Sequence, residues 1–178
     1  TLNLGATNLT ISNGGSYSGI ITGTGGLINS NSGPPSSATL TLGGANTFSG
    51  GITGSSPNPS YIITHPSALG TGTLDLSSQS QSSFITATLG YDFGAAGFVG
   101  TVANNIILPS AAVTVNIGKT SIFNQGQTLR LTGLLSGGGA GMSLELNRNS
   151  GFNPNIVVLD NPNNSFLGTI RNGTSASG

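Results

Sequence analysis

Charge is what this chain has least of. Eight of its 178 residues are Asp, Glu, Lys or Arg, four of each sign, and the formal net charge is zero. An average soluble domain is about a quarter charged. A nucleic-acid interface needs a dense basic patch, and four basic residues cannot build one. Nucleic acid is therefore excluded as a partner, and an anionic membrane surface is a poor one for the same reason. Cysteine is absent, which rules out a disulfide scaffold and any Cys/His metal site. The single histidine, His65, precedes Pro66 and so lies in an extended or turn segment; it reads as a loop residue. No apolar run approaches the ~20 residues that span a bilayer as a helix. Helical periodicity is missing too, and the three consecutive glycines within residues 134–142 would be costly inside a helix.

What the chain does have is alternation. Couplets of the form apolar-x-apolar recur at Leu2/Leu4, Leu9/Ile11, Leu40/Leu42, Leu74/Leu76, Val113/Val115/Ile117, Leu129/Leu131 and Leu144/Leu146. A period of two marks short strands with one buried face. Clusters of Gly, Asn, Ser and Pro separate them and read as turns. With 35% hydrophobic residues in this order, the chain has more to bury than a disordered one. Abundant Gly and Asn favour a solenoid over a sandwich, because each corner of a coil suits residues that tolerate left-handed backbone.

A second pattern supports stacking. An aromatic, a glycine two residues on and an Ile or Val two further on occur four times: Tyr17-Gly19-Ile21, Phe48-Gly50-Ile52, Phe98-Gly100-Val102 and Phe166-Gly168-Ile170. Alternate strand residues share a face, so stacked copies are expected to form an aromatic ladder beside an aliphatic one, with the glycine leaving room for a ring or marking a corner. The reading is one all-β domain over residues 1–178, a right-handed parallel β-helix of roughly seven or eight rungs. Coils of about 20–25 residues at the ~4.8 Å strand spacing make a rod about 35 Å long. Leu40, Leu42, Phe48, Ile52, Leu74, Leu76, Val113, Val115, Leu129, Leu131, Leu144 and Phe166 should point inward. The chain opens at Thr1 without an initiator Met, which reads as a processed piece of a longer secreted or surface protein.

The longer context of the motif resembles a known family. Residues 40–52 read Leu-Thr-Leu-Gly-Gly-Ala-Asn-Thr-Phe-Ser-Gly-Gly-Ile, and residues 68–76 read Ala-Leu-Gly-Thr-Gly-Thr-Leu-Asp-Leu. Ile20–Leu27 and Val102–Leu108 add a Gly-rich and an Asn-Asn-Ile-Ile segment. Together these resemble the autotransporter-associated β-strand repeat, also called the passenger-associated transport repeat. Residues 17–52 follow its order closely and residues 98–170 more loosely, with Asn164-Ser165-Phe166-Leu167-Gly168 in place of Asn46-Thr47-Phe48-Ser49-Gly50. The resemblance implies a right-handed parallel β-helix, secretion and a role at the cell surface. It implies no ligand. Pro34, Pro35, Pro57 and Pro59 depart from the pattern and read as extruded loops.

Chemistry is scarce. The four acids, Asp75, Asp92, Glu145 and Asp160, are far apart in sequence, and polysaccharide cleavage needs a carboxylate pair. Glu145 and Arg148 read as a surface ion pair. Gly138-Gly139-Ala140-Gly141 opens like a calcium-binding repeat but lacks the aspartate, and the tract reads as a corner. Thr-x-Thr pairs (Thr22/Thr24, Thr39/Thr41, Thr71/Thr73, Thr86/Thr88) are too irregular for an ice-binding face. No catalytic, cofactor or metal residue is assigned. Two functions remain. One is a structural extracellular subunit that polymerises with copies of itself into a fibre or surface layer. Its uncapped ends, near Thr1–Ile11 and Ile156–Ile170, would pair, with the tail Asn172–Gly178 held by a neighbour; proline at Leu4 would close the edge. The other is a passenger segment acting as an adhesin stalk or surface-glycan module, with segments 31–38 and 55–60 as loops and Tyr61 as an exposed ring that stacks on sugar or, more simply, packs.

Overall fold

A computed structural model describes residues 1–30, 39–54, 58–78, 86–120, 126–146 and 155–173. Among them every strand pairing is parallel and no helix occurs; accordingly no helix is long and apolar enough to cross a membrane. The chain is a parallel β-solenoid. Successive short strands turn corners and return one level along, so the coil has three faces.

The first face carries β1 (Leu2–Asn3) and β4 (Ile21–Thr22), then β11 (Val99–Val102), β14 (Thr128–Leu131) and β16 (Ile156–Leu159). The second stacks β2 (Leu9–Ser12), β5 (Leu27–Ser30), β7 (Ile52–Gly54), β9 (Leu74–Asp75), β12 (Ile106–Leu108) and the start of β15 (Leu135–Leu146). The third stacks β3 (Gly15–Tyr17), β6 (Thr39–Leu42), β8 (Ser60–Ile63), β10 (Thr86–Tyr91), β13 (Thr114–Lys119), the end of β15 and β17 (Leu167–Asn172). Among the described residues seven strands thus stack on the third face. Coils run from Leu9 to Leu27 at the shortest and from Leu74 to Ile106 at the longest, a wider spread than the sequence reading allowed.

Register turns the couplets into columns. Leu27, Ile52, Leu74, Ile106 and Leu135 lie over one another, all buried. Leu40, Tyr61, Leu89 and Ile117 make a second buried column. Each apolar side chain is covered by the ones above and below, so the core is continuous along the axis and no single coil can fold without a neighbour. Eleven of the twelve residues expected to point inward are buried; Phe166, in the last coil, is half-buried against the core.

Two readings need correction. Pro59 does not lead an extruded loop: it is buried, and its carbonyl accepts the Thr88 N–H at 2.9 Å. Proline lacks a donor but keeps its acceptor, so it can open β8 while taking part in the ladder. Tyr61 is not an exposed sugar platform. It sits in an inward column of β8 and is fully buried, and burial drives its phenol far above the usual tyrosine range, against an opposing contribution from Asn29. The Gly138–Gly141 tract does turn a corner: it carries β15 from the second face to the third, and the register against β17 shifts between Gly138 and Ser143. Segments 31–38 and 55–57, Arg148 and the tail residues 174–178 fall outside the described residues.

Candidate functional site

The corners hold their rungs by an asparagine device. The Ile21 N–H donates to Asn46 Oδ1 (2.8 Å), and the Thr47 N–H donates to the Ile21 carbonyl (2.9 Å). The same two-bond pattern joins Asn8-Leu9 to Gly26, Asn105-Ile106 to Leu134, Asn155-Ile156 to Gln127 and Asn164-Ser165 to Leu135. In a parallel ladder a residue is bracketed by the carbonyl before and the N–H after its partner. At a corner the preceding carbonyl has turned away, and the asparagine side chain supplies the missing acceptor. Asn46 does more: its Nδ2 donates to the Ala68 carbonyl at 2.6 Å, so one buried side chain joins three successive coils. Asn104 likewise donates to the Gly72 carbonyl at 2.7 Å. Asparagine was expected at corners for its tolerance of left-handed backbone. Among the described residues only Asn13, at φ 63°, uses that tolerance.

The four aromatic motifs do not stack on one another. Tyr17 ends β3 on the third face, opposite Leu42. Phe48 is buried on the first face, its carbonyl accepting the Thr71 N–H. Phe98 precedes β11 and is exposed, while Phe166 precedes β17. Unequal coil lengths put each copy at a different place on the coil, so the aliphatic partners Ile21, Ile52 and Val102 are buried and Ile170 is exposed, without an aromatic ladder. The glycines do different work. A Cβ on Gly19 would come within 2.8 Å of the Tyr17 hydroxyl, one on Gly50 within 2.5 Å of the Gly25 backbone, and one on Gly100 would strike the Phe93 ring. Gly168 has φ +141°, and a Cβ there would come within 2.7 Å of the Met142 carbonyl oxygen.

The acids are separated by the fold as they are by sequence. Asp75 lies on the second face and accepts the Ser77 N–H; Asp92 lies beyond β10 against Lys119; Glu145 lies on the third face opposite Asn116; Asp160 pairs with Arg130. No group of three or more metal-ligating side chains occurs among the described residues. His65 lies in the turn after β8, where its Nδ1 accepts the Ser67 N–H at 3.1 Å.

The two ends of the rod are where the core is bare. In the second-face column Leu27 is 1% exposed, yet Leu9, its partner in the first coil, is 37% exposed. A hollow of about 220 Å³ opens there, lined by Leu2, Leu9, Ile11, Tyr17, Leu40 and Leu42 among others. At the opposite end the column Ala87, Val115, Leu144 is wholly buried, while Ile170, next in register, is 52% exposed. Leu167 and Ile156 are exposed beside it. Among the described residues β1, β2 and β3 pair with one strand only, as do β16 and β17 at the other end and β4 and β11 within the first face. Separately, a groove of about 360 Å³ crosses the first face between Thr47, Ser67, Thr71, Thr101 and the buried Asn46 and Asn104. No family model, curated protein or solved structure matches this chain.

Proposed function

We propose that this chain is a structural, non-catalytic subunit of an extracellular fibre or surface layer, the surface role being what its resemblance to autotransporter-type repeats implies, and that it grows by stacking one solenoid on the next. The observation that carries this reading is that a buried column emerges uncovered at each end of the rod, the second-face column at Leu9 and a third-face column at Ile170. The two ends differ in shape: a hollow at Leu2, Leu9 and Tyr17, and protruding Leu167 and Ile170 at the other. Unlike surfaces that fit each other make a heterologous contact, which extends into a filament when the rotation does not close. Free strand edges add main-chain pairing to apolar burial, and near-zero net charge removes long-range repulsion.

Sedimentation of the purified chain over a concentration series tests this. Growth with concentration is expected, and Ile170→Asp should abolish it by placing a charge in the joint. Proline at Leu4 is the wrong probe for the edge, since the Leu4 N–H already donates to Thr22 within the subunit. The alternating register leaves the Thr10 N–H facing the open side of β2, so Thr10→Pro is the substitution that blocks an incoming strand. A concentration-independent monomer would leave the stalk reading, for which the groove offers the hydroxyls of Thr47, Ser67, Thr71 and Thr101 to a surface glycan.

A further inference from the structure

Lys119 is the only lysine in the chain, and the fold puts it inside. It ends β13 in the interior column, directly over Tyr91, and is 2% exposed. Its Nζ lies 3.5 Å from Asp92 Oδ1. That same oxygen accepts a hydrogen bond from Gln127 Nε2 at 3.3 Å. Gln127 is completely buried, and its Oε1 accepts the Phe93 N–H at 3.1 Å. Phe93 sits between Tyr91 and Phe98, with ring centroids 5.4 Å away at each step. An ordinary buried ion pair needs a lysine and a carboxylate. Here a carboxamide shares the carboxylate oxygen, and a backbone donor polarises that carboxamide.

We propose that Lys119 and Gln127 join in a self-catalysed isopeptide bond, with Asp92 as the proton carrier. The Lys119 ammonium gives a proton to Asp92 Oδ1. The freed amine attacks Gln127 Cδ, and negative charge gathers on Oε1, where the Phe93 N–H already points. Asp92 returns its proton to Nε2, the leaving nitrogen, and takes one from the attached Nζ. The Cδ–Nε2 bond breaks and ammonia departs; the new Nζ–Cδ amide remains. No oxidant, metal or other reactant is required. One carboxylate oxygen touches both the incoming and the leaving nitrogen, which is the geometry such a relay needs, and burial keeps water from competing for the carbonyl. The bond would pin the end of β13 to the start of β14. It is independent of whether the rod polymerises.

Intact-mass spectrometry of the full chain tests it, followed by proteolysis and fragmentation. The expected mass is one ammonia below that of the sequence, with a branched peptide joining Lys119 to Gln127. In denaturant only the α-amino group should react with an amine reagent. Lys119→Arg keeps the cation without a nucleophilic amine and should restore the sequence mass; Asp92→Asn should do the same while the β-type dichroism persists. The wild-type mass decides the matter even if a variant fails to fold. The unshifted sequence mass with a reactive Lys119 overturns the proposal. So does a chain lighter by one water, joining Lys119 to Asp92, or an ammonia loss that maps to Asn13-Gly14 or Asn172-Gly173 as a succinimide and hydrolyses in mild base to aspartate or isoaspartate.

Discussion

Replacing Asn46 with alanine removes the acceptor for the Ile21 N–H and the donor to the Ala68 carbonyl in one step. Asn46 is 2% exposed, so water cannot readily take its place. A buried backbone group left without a partner costs about 1–3 kcal/mol. Two such groups set the expected loss at about 2–5 kcal/mol, a large part of the 5–15 kcal/mol by which a domain is stable. Urea unfolding followed by far-ultraviolet dichroism reads it as a lower midpoint at unchanged slope. Asn13 is the internal comparison: it is exposed, adopts φ 63° and is not one of the corner clamps. Asn13→Gly relieves that backbone and should change stability by less than about 0.5 kcal/mol. Asn46→Asp goes further, since an ionised carboxylate would face the Ala68 carbonyl. Its neutral form can donate to that oxygen, so burial and the hydrogen bond both raise its folded pKa, and the variant should regain stability as pH falls. A loss at Asn46→Ala no larger than that at Asn13 would show that packing alone holds the corners, and the clamp idea would fail.

Two further stability predictions rest on buried aromatic residues. Phe48 is completely buried beneath the first face, and Phe48→Ala should lower stability by about 3–5 kcal/mol in the same assay; a loss under 1 kcal/mol would contradict the continuous core. Tyr91 lies buried with its hydroxyl 3.4 Å from the carbonyls of Gln127 and Ile156, and burial pushes its pKa up to about 12. The unfolded chain ionises near pH 10, so the stabilisation from keeping Tyr91 neutral is complete below that pH and is lost as pH rises toward 12. Tyr61 shifts the same way. Alkaline unfolding should therefore begin above about pH 10, and Tyr91→Phe should flatten that limb of the pH profile.

Much of the fold could be read from the alternation of apolar residues. Leu9/Ile11, Leu40/Leu42, Leu129/Leu131 and Leu144/Leu146 all lie within strands, and Leu76 directly follows β9. The strands that escaped notice are those whose signal is short or blurred. The β12 segment is three residues of unbroken Ile-Ile-Leu, and β8 follows two prolines that read as a loop. Tyr61 beside Pro59 looked exposed because nothing local in the sequence reveals which way a four-residue strand faces; the register against Leu40 and Leu89 settles it. The corner asparagines were visible as residues but not as a device. Asn46 and Asn164 share an Asn-Thr/Ser-Phe-x-Gly context, but no flanking residue is common to Asn8, Asn46, Asn105, Asn155 and Asn164, and their partner is always a backbone group one coil away. The uncapped ends near Thr1–Ile11 and Ile156–Ile170 were legible, but the Lys119–Asp92–Gln127 cluster was hidden, because it is assembled by coil length. An Asp and a Gln on either side of the lone lysine become neighbours only when the coil closes.

Negative-stain microscopy of the purified chain bears most directly on end-to-end stacking. Seven strands at ~4.8 Å make one subunit about 34 Å long, so unbranched filaments with an axial repeat near that length are expected. Their abundance should rise with concentration and barely change with salt, since little of the joint is ionic. Isolated particles of single-chain size at every concentration would contradict the fibre reading.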